Sequence, residues 1–253
     1  MSELPLDRIL SAWEGAQPAP QDLHGKVSMA DAYAMQLQVL SRTVAAGHQH
    51  SGWKLGQTNT QLRAERGEHE PAPGFMLAHK QRASGSRLDI EGSEAWYLEP
   101  ELALILRSDL RGATVTANDV RDAVGGIASA FEVVRKRVGW DDRALQRAVN
   151  GSTAGYALGA TTPGCPSAAE LDDLRIVCSC DDKTIAALRG GDANDNPLQS
   201  TAWLARFLAG HGAGLQAGQV ILTGTYAGLL PVRAGERWST KIGDLAAVEL
   251  LVE

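Results

Sequence analysis

The spacing of apolar positions changes once along the chain, near residue 50. Before that point apolar residues recur at helical intervals. Leu6, Ile9, Leu10 and Trp13 follow the i, i+3, i+4, i+7 rule and predict an amphipathic helix that Pro18 and Pro20 end. Ser28 starts a second predicted helix, with Asp31 in a capping-box-like position. Its expected apolar face is Met29, Tyr33, Leu37, Leu40 and Val44, and Gly47 closes it. These helices predict an N-terminal layer over residues 1–50. After it the pattern turns short, apolar and Gly-punctuated. Segments 52–58, 102–106, 126–134, 156–160, 174–180, 183–191, 220–224 and 246–252 read as strands, with a hairpin turned at Asp181-Asp182. One late helix is predicted in "NPLQSTAWLARFLAGHG", with Asn196 as N-cap and Pro197 at its first position. The balance is a β-rich α+β chain with a curled or barrel-like sheet, in which residues 51–253 form the catalytic part and continue from the helical layer as one unit.

Composition narrows the function. The 253 residues carry a net charge of −6 and show no Lys/Arg block, which argues against nucleic acid and anionic membrane surfaces as partners. No apolar run reaches the roughly 18 residues that span a bilayer. The opening "MSELPLDRIL" has acids where a signal peptide needs positive charge, so a cytoplasmic location is expected. The three cysteines, Cys165, Cys178 and Cys180, argue against a disulfide framework. The C-x-C pair has no second Cys/His pair at zinc spacing and reads as strand thiols.

Chemistry enters at "YLEPELALIL", residues 97–106. Glu99 and Glu101 stand at i and i+2 of a predicted strand and therefore on one face. Two carboxylates side by side among apolar residues repel and need a cation. Glu132 is a third acid inside an apolar run, and on a neighbouring strand it would complete a set suited to Mg²⁺ or Mn²⁺. The alternatives are an exposed strand end for the first pair and a salt bridge to Arg135 or Arg137 for Glu132. Lys54, between Trp53 and Leu55 and flanked by Gly52 and Gly56, is either a surface lysine or an inward proton carrier.

These segments resemble a known family. "GWKLGQTN" (52–59), "LEPELALIL" (98–106), "AFEVVRKRV" (130–138) and "NPLQSTAWLARFLAGHGAGLQAGQVILTGT" (196–225) are similar, in order, to motifs of the 2-keto-4-pentenoate hydratase / 4-oxalocrotonate decarboxylase family. That family lies within the fumarylacetoacetate hydrolase superfamily. The resemblance implies a β-rich α+β fold with a rolled mixed sheet. It also implies Mg²⁺ or Mn²⁺ on Glu99, Glu101 and Glu132, the family lysine at Lys54, and a homo-oligomer. The implied reaction is hydration of a short 2-hydroxy-2,4-dienoate. The alternatives are decarboxylation of a 2-oxo-3-enedioate, C–C bond hydrolysis, and a non-catalytic protein that binds a small acid.

Several positions depart from the family pattern. His79 stands where an acid/base carboxylate is frequent and is a candidate catalytic group, with an exposed loop histidine as the alternative. Asn150 and Thr225 are candidate substrate contacts, with turn satisfaction and a strand-end hydroxyl as the respective alternatives. Gln57 replaces a frequent apolar residue and is a third candidate contact. Val149 replaces an acid, and Arg135-Lys136 replace a polar pair and would meet a second substrate carboxylate if they reached the pocket. Tyr226 is larger than the usual pocket residue there. His48 and His50 lack ligand spacing and read as surface residues.

Overall fold

The computed structural model describes residues 5–65, 67–92 and 94–253. The helices are α1 (Leu6–Glu14), α2 (Met29–Ala45), α3 (Thr60–Glu65), α4 (Ala117–Ala123), α5 (Arg143–Ala148), α6 (Ala168–Asp173), α7 (Gly190–Ala193) and α8 (Pro197–Gly210). The strands are β1 (His50–Gly56), β2 (Ala72–Leu77), β3 (Gln81–Ala83), β4 (Ser86–Leu88), β5 (Ala95–Leu106), β6 (Val124–Lys136) and β7 (Thr153–Leu158). They continue as β8 (Thr162–Pro163), β9 (Arg175–Cys180), β10 (Lys183–Arg189), β11 (Val220–Thr225), β12 (Leu230–Pro231), β13 (Arg237–Ile242) and β14 (Val248–Val252).

The fold is mixed α+β, built on two sheets. The large sheet runs β2-β1-β11-β5-β6-β7-β3, with β12 added to β5 and β8 to β6. The small one runs β10-β9-β13-β14-β4. Neither closes into a barrel among the described residues, which corrects the barrel-like expectation. Parallel pairs, β1 with β11 and β3 with β7, sit among antiparallel ones. The predicted hairpin is β9–β10, and Asp181 and Asp182 take φ of 48° and 64°, as a turn with two left-handed central residues requires. No helix among the described residues is long and apolar enough to cross a membrane.

The run "LALIL" is apolar throughout because both faces of β5 are covered. Leu102, Leu104 and Leu106 pack with Ile221 and with Leu198, Leu204 and Leu208 of α8. Leu98, Phe131 and Val133 pack with Trp238, Val248 and Leu250 of the small sheet. The opposite face carries Ala103, Ala128, Ala130 and Leu222, and the acids extend that same face.

Both long predicted helices have their caps: Ser28 accepts from Asp31 N–H, and Asn196 accepts from Leu198 N–H ahead of Pro197. The apolar face predicted for α2 needs correction. Ala32 and Met35 are its buried residues toward α1, Trp140 and α5, while Leu37 and Leu40 pack against the main core. The helix lies between two clusters, so one stripe does not describe it. Met29 and Val44, at its two ends, are 42% and 46% exposed. The N-terminal helices share the cluster around Trp140 with α5, which is how they bear on the site.

Candidate active site

Strand register assembles the acids. β5 and β6 are antiparallel, with Glu99 directly opposite Glu132 and Glu101 opposite Ala130. β11 flanks β5, with Thr225 opposite Glu101, and β1 flanks β11, with Lys54 opposite Leu222. Like charges directly across a ladder destabilise it. Yet one carboxylate oxygen from each of Glu99, Glu101 and Glu132 lies within 4.8 Å of the others. Glu101 and Glu132 are fully buried and Glu99 half-buried.

Each acid is held by a specific neighbour. Glu101 Oε2 accepts the Gly224 N–H at 2.7 Å. That donor is available because β11 shifts register between Leu222 and Thr225, and Gly224 takes a φ of 104°. A Cβ there would stand 1.8 Å from Thr58 Oγ1, so the turn needs glycine for both conformation and space. Glu132 Oε1 accepts the Thr153 hydroxyl at 2.9 Å and lies 3.5 Å from Lys54 Nζ. Lys54 reaches it across Gly74, where a Cβ would meet Lys54 Cε at 2.8 Å.

The cluster is not electrically balanced. Burial, with repulsion from Glu132 second, lifts the Glu99 carboxyl to about 7. Burial, then Glu132 and Glu99, lifts Glu101 well above the usual carboxylate range. One ammonium faces three carboxylates, and Glu132 Oε2 is buried without a hydrogen-bond partner. A buried carboxylate oxygen without a partner, on a residue that converges with two other carboxylates, is what a hard divalent cation would satisfy. The residues present fit such an ion.

A cavity of about 410 Å³ opens over this cluster, and Lys54, Gln57, Glu99, Thr225 and Tyr226 line it. Gln57 has a φ of 58°, and its carbonyl accepts from Arg63 at 2.5 Å. The Thr225 hydroxyl donates to the Gly228 carbonyl at 3.1 Å, so the strand-end alternative and the pocket position hold together.

Two predicted residues are not brought in. His79 is exposed on a 3₁₀ turn beside His48, their rings 4.7 Å apart, and is not part of the cavity wall. The structure places it as the exposed loop histidine of the alternative and does not bring it to the cavity. Asn150 is also outside the lining. Its Oδ1 accepts from Phe75 N–H at 2.9 Å and Gln36 Nε2 at 3.3 Å, and its Nδ2 donates to the Phe75 carbonyl at 3.0 Å. Asn150 clamps β2 beside Lys54, the backbone role of its alternative reading. Val149 is buried with Trp140, where a carboxylate would be unpaired.

Arg135 and Arg137 flank Glu94 at 3.1 and 3.0 Å, so neither pairs with Glu132, and Arg135 does not reach the cavity. Lys136 does. So do Arg143 and Arg147, which the sequence reading overlooked. Their signal was a pair of arginines at i and i+4 on one side of "RALQRA".

Known proteins share this arrangement of chain. A 2-hydroxyhexa-2,4-dienoate hydratase of Comamonas testosteroni is 27% identical over 90% of this chain and 88% of its own length. A 2-keto-4-pentenoate hydratase of Paraburkholderia xenovorans is 25% identical over 95% and 90%. The 4-oxalocrotonate decarboxylase of Pseudomonas putida G7, solved with magnesium and adipate, superposes with a TM-score of 0.86 at 23% identity, covering 98% of this chain and 95% of that one. The family model for the fumarylacetoacetate hydrolase C-terminal region matches residues 53–252, which include Lys54 and all three acids of the site. The chain belongs to the fumarylacetoacetate hydrolase family.

Proposed function

We propose that this chain is a metal-dependent hydratase that adds water to a short 2-hydroxy-2,4-dienoate and yields a 4-hydroxy-2-oxo acid. One observation carries the reading: three carboxylates, two of them fully buried, converge within 4.8 Å, beside a buried lysine, at an open cavity. The names of the two hydratases above and the magnesium in the decarboxylase structure support it.

Glu99, Glu101 and Glu132 would hold Mg²⁺ or Mn²⁺. Such an ion, when bound, supplies Lewis-acid stabilisation of negative charge on a substrate oxygen. The chain's own residues do the rest. In the overall reaction the 2-hydroxyl loses a proton and C5 gains one, giving a 2-oxo-3-enoate. The oxygen of water then bonds to C4, and the hydrogen balance closes at C3. Lys54 lines the cavity and is the ammonium placed to hold and return a proton at Nζ. Glu132 Oε1 and the space over Gly74 fix the position of that ammonium. Gln57, Thr225 and Tyr226 bound the space in which the dienoate lies.

The test is product analysis with 2-hydroxypenta-2,4-dienoate and 2-hydroxyhexa-2,4-dienoate in Mg²⁺ or Mn²⁺. A 4-hydroxy-2-oxo acid should form, EDTA should stop it, and Lys54→Met should lower kcat by about 10²-fold or more. Absence of turnover across dienoates of five to seven carbons by metal-bound protein would reject the reading. Release of CO₂ from a 2-oxo-3-enedioate in place of hydration would move it to decarboxylation.

A further inference from the structure

The cavity wall holds more positive charge than its own carboxylates answer. Its cationic side chains are Lys54, Arg63, Lys136, Arg143 and Arg147, against Glu68 and Glu99. Three of the five are engaged. Lys54 faces Glu132 at 3.5 Å, Arg63 pairs with Asp195 at 2.9 Å, and Arg143 pairs with Glu68. Among the described residues, no ion pair is made by Lys136 or Arg147. Lys136 lies over the Tyr97 ring at 5.2 Å. Arg147 is half-buried beside the Tyr33 hydroxyl, on a short helix whose Ala144, Leu145 and Ala148 are sunk against α1, α2 and Trp140. A half-buried guanidinium held at a cavity wall is a ready partner for a planar carboxylate.

We infer that Arg147, assisted by Lys136, binds a second carboxylate at the far end of the substrate, so that the preferred substrate is a dienedioate rather than a monocarboxylic dienoate. This rests on the hydratase reading above and sharpens it. It also separates hydration from decarboxylation. Loss of CO₂ removes negative charge from the departing carboxylate. A cation holding that group stabilises the ground state more than the transition state and so opposes the loss. In hydration the far carboxylate is retained, and the contact costs nothing at the reacting carbons.

The experiment is calorimetric binding to Mg²⁺-loaded protein of two six-carbon probes, 2-oxoadipate and 2-oxohexanoate, which differ only in the terminal carboxylate. Wild type should bind 2-oxoadipate about 10-fold or more tightly, with a ratio that shrinks as KCl rises. Arg147→Gln should bring the ratio near one. Arg147→Lys should keep part of it. Arg135→Gln, which removes a charge outside the cavity, should leave it intact. Equal binding of the two probes by wild type overturns the proposal, as does a ratio that survives Arg147→Gln or falls equally in Arg135→Gln. Should neither probe bind the metal-loaded protein, the 2-oxo acid reading of the site falls first, and this one with it.

Discussion

The floor of the cavity and its α5 wall are built by different means. On the floor, Lys54, Glu99, Glu101 and Glu132 ride on strands whose register fixes each side chain against its neighbours. A ladder cannot slip by one residue without turning every side chain to the other face. The wall rides on a six-residue helix, too short to be stable alone, whose place is set by Trp140 and the N-terminal helices. Chemistry common to many substrates thus sits on the rigid element. The arginine proposed to read one particular substrate, Arg147, sits on the short helix, which carries none of the three carboxylates.

The largest effect tests the floor. Glu101→Ala removes one of three converging carboxylates and leaves the buried Gly224 N–H without its acceptor. Turnover should fall by roughly 10³-fold or more, in the range seen when a main electrostatic contact to the reacting centre is lost. Thermal melts supply an independent reading. Saturating Mg²⁺ should stabilise wild type by about 2.7 kcal/mol at 100 times its Kd, and the variant by almost nothing. A variant that keeps the full metal response would show that the three acids are not one site.

The next effect tests whether the wall is separate. Trp140 is 1% exposed, meets Trp13 edge-on at 4.8 Å, and donates from Nε1 to the Gln17 carbonyl at 2.9 Å. Trp140→Ala should cost about 3 kcal/mol or more in urea unfolding. Near 15 °C, where the variant is still folded, its Mg²⁺-induced stabilisation should persist while KM rises. Loss of the metal response in folded variant protein would mean that floor and wall move together, and the contrast drawn above would fail.

The same contrast governs what could be read before the fold was known. Glu99 and Glu101 were legible because period-2 alternation makes i and i+2 a face, and two acids on a face within an apolar run conflict with burial. Glu132 was legible as a lone acid in a second such run. Its position directly opposite Glu99 was not, because register depends on pairing with a distant strand. The wall was poorly legible. Arg143 and Arg147 look like any solvated side of a short amphipathic helix, and only the packing of Ala144, Leu145 and Ala148 turns them toward a cavity. The place of His79 was left open between site and exposed loop for a related reason. A loop fixes the order of residues without fixing where a side chain points, and this one ends in an exposed turn against His48. The Asn150-Gly151 dipeptide was itself a turn signal, consistent with the left-handed φ of 53° found at Asn150.

Asn150 joins the two regions and gives a smaller effect. It follows α5 directly and hydrogen-bonds both backbone groups of Phe75 on β2, the strand over which Lys54 passes. Asn150→Ala would leave those groups unpaired and put alanine in the left-handed region, which asparagine adopts more readily. A loss of about 2 kcal/mol in urea unfolding is expected. Asn150→Gly relieves the backbone conflict but restores no hydrogen bond, so it should fall between wild type and Asn150→Ala. If Asn150→Gly is as stable as wild type, the clamp contributes nothing and Asn150 serves only as a turn residue.

The smallest effect lies at the outer end of the floor and is read through pH. His50 begins β1 and is half-buried, not the surface residue its spacing suggested. Its ring packs edge-on to Trp53 at 5.1 Å, its Nε2 donates to the Gly52 carbonyl at 2.9 Å, and its Nδ1 accepts from Gln219 Nε2 at 3.3 Å. Both ring nitrogens are thus used in the neutral form, and a proton on Nδ1 would meet the Gln219 amide donor. Burial pushes the imidazole below its ordinary value, with the Gly52 carbonyl opposing. The unfolded chain therefore takes up this proton first as pH falls. The contribution to stability is full above about pH 6.5 and is lost on acidification toward the folded value, no more steeply than about 1.4 kcal/mol per pH unit. Urea midpoints of wild type and His50→Gln compared at pH 8, 7, 6 and 5 isolate it, because the carboxylates common to both proteins cancel in the difference. The gap between the two should narrow as the solution is made acidic. A gap that stays constant would mean that His50 carries the same charge in the folded and unfolded chain, and that the first residues of β1 are open to water in a way the rest of the floor is not.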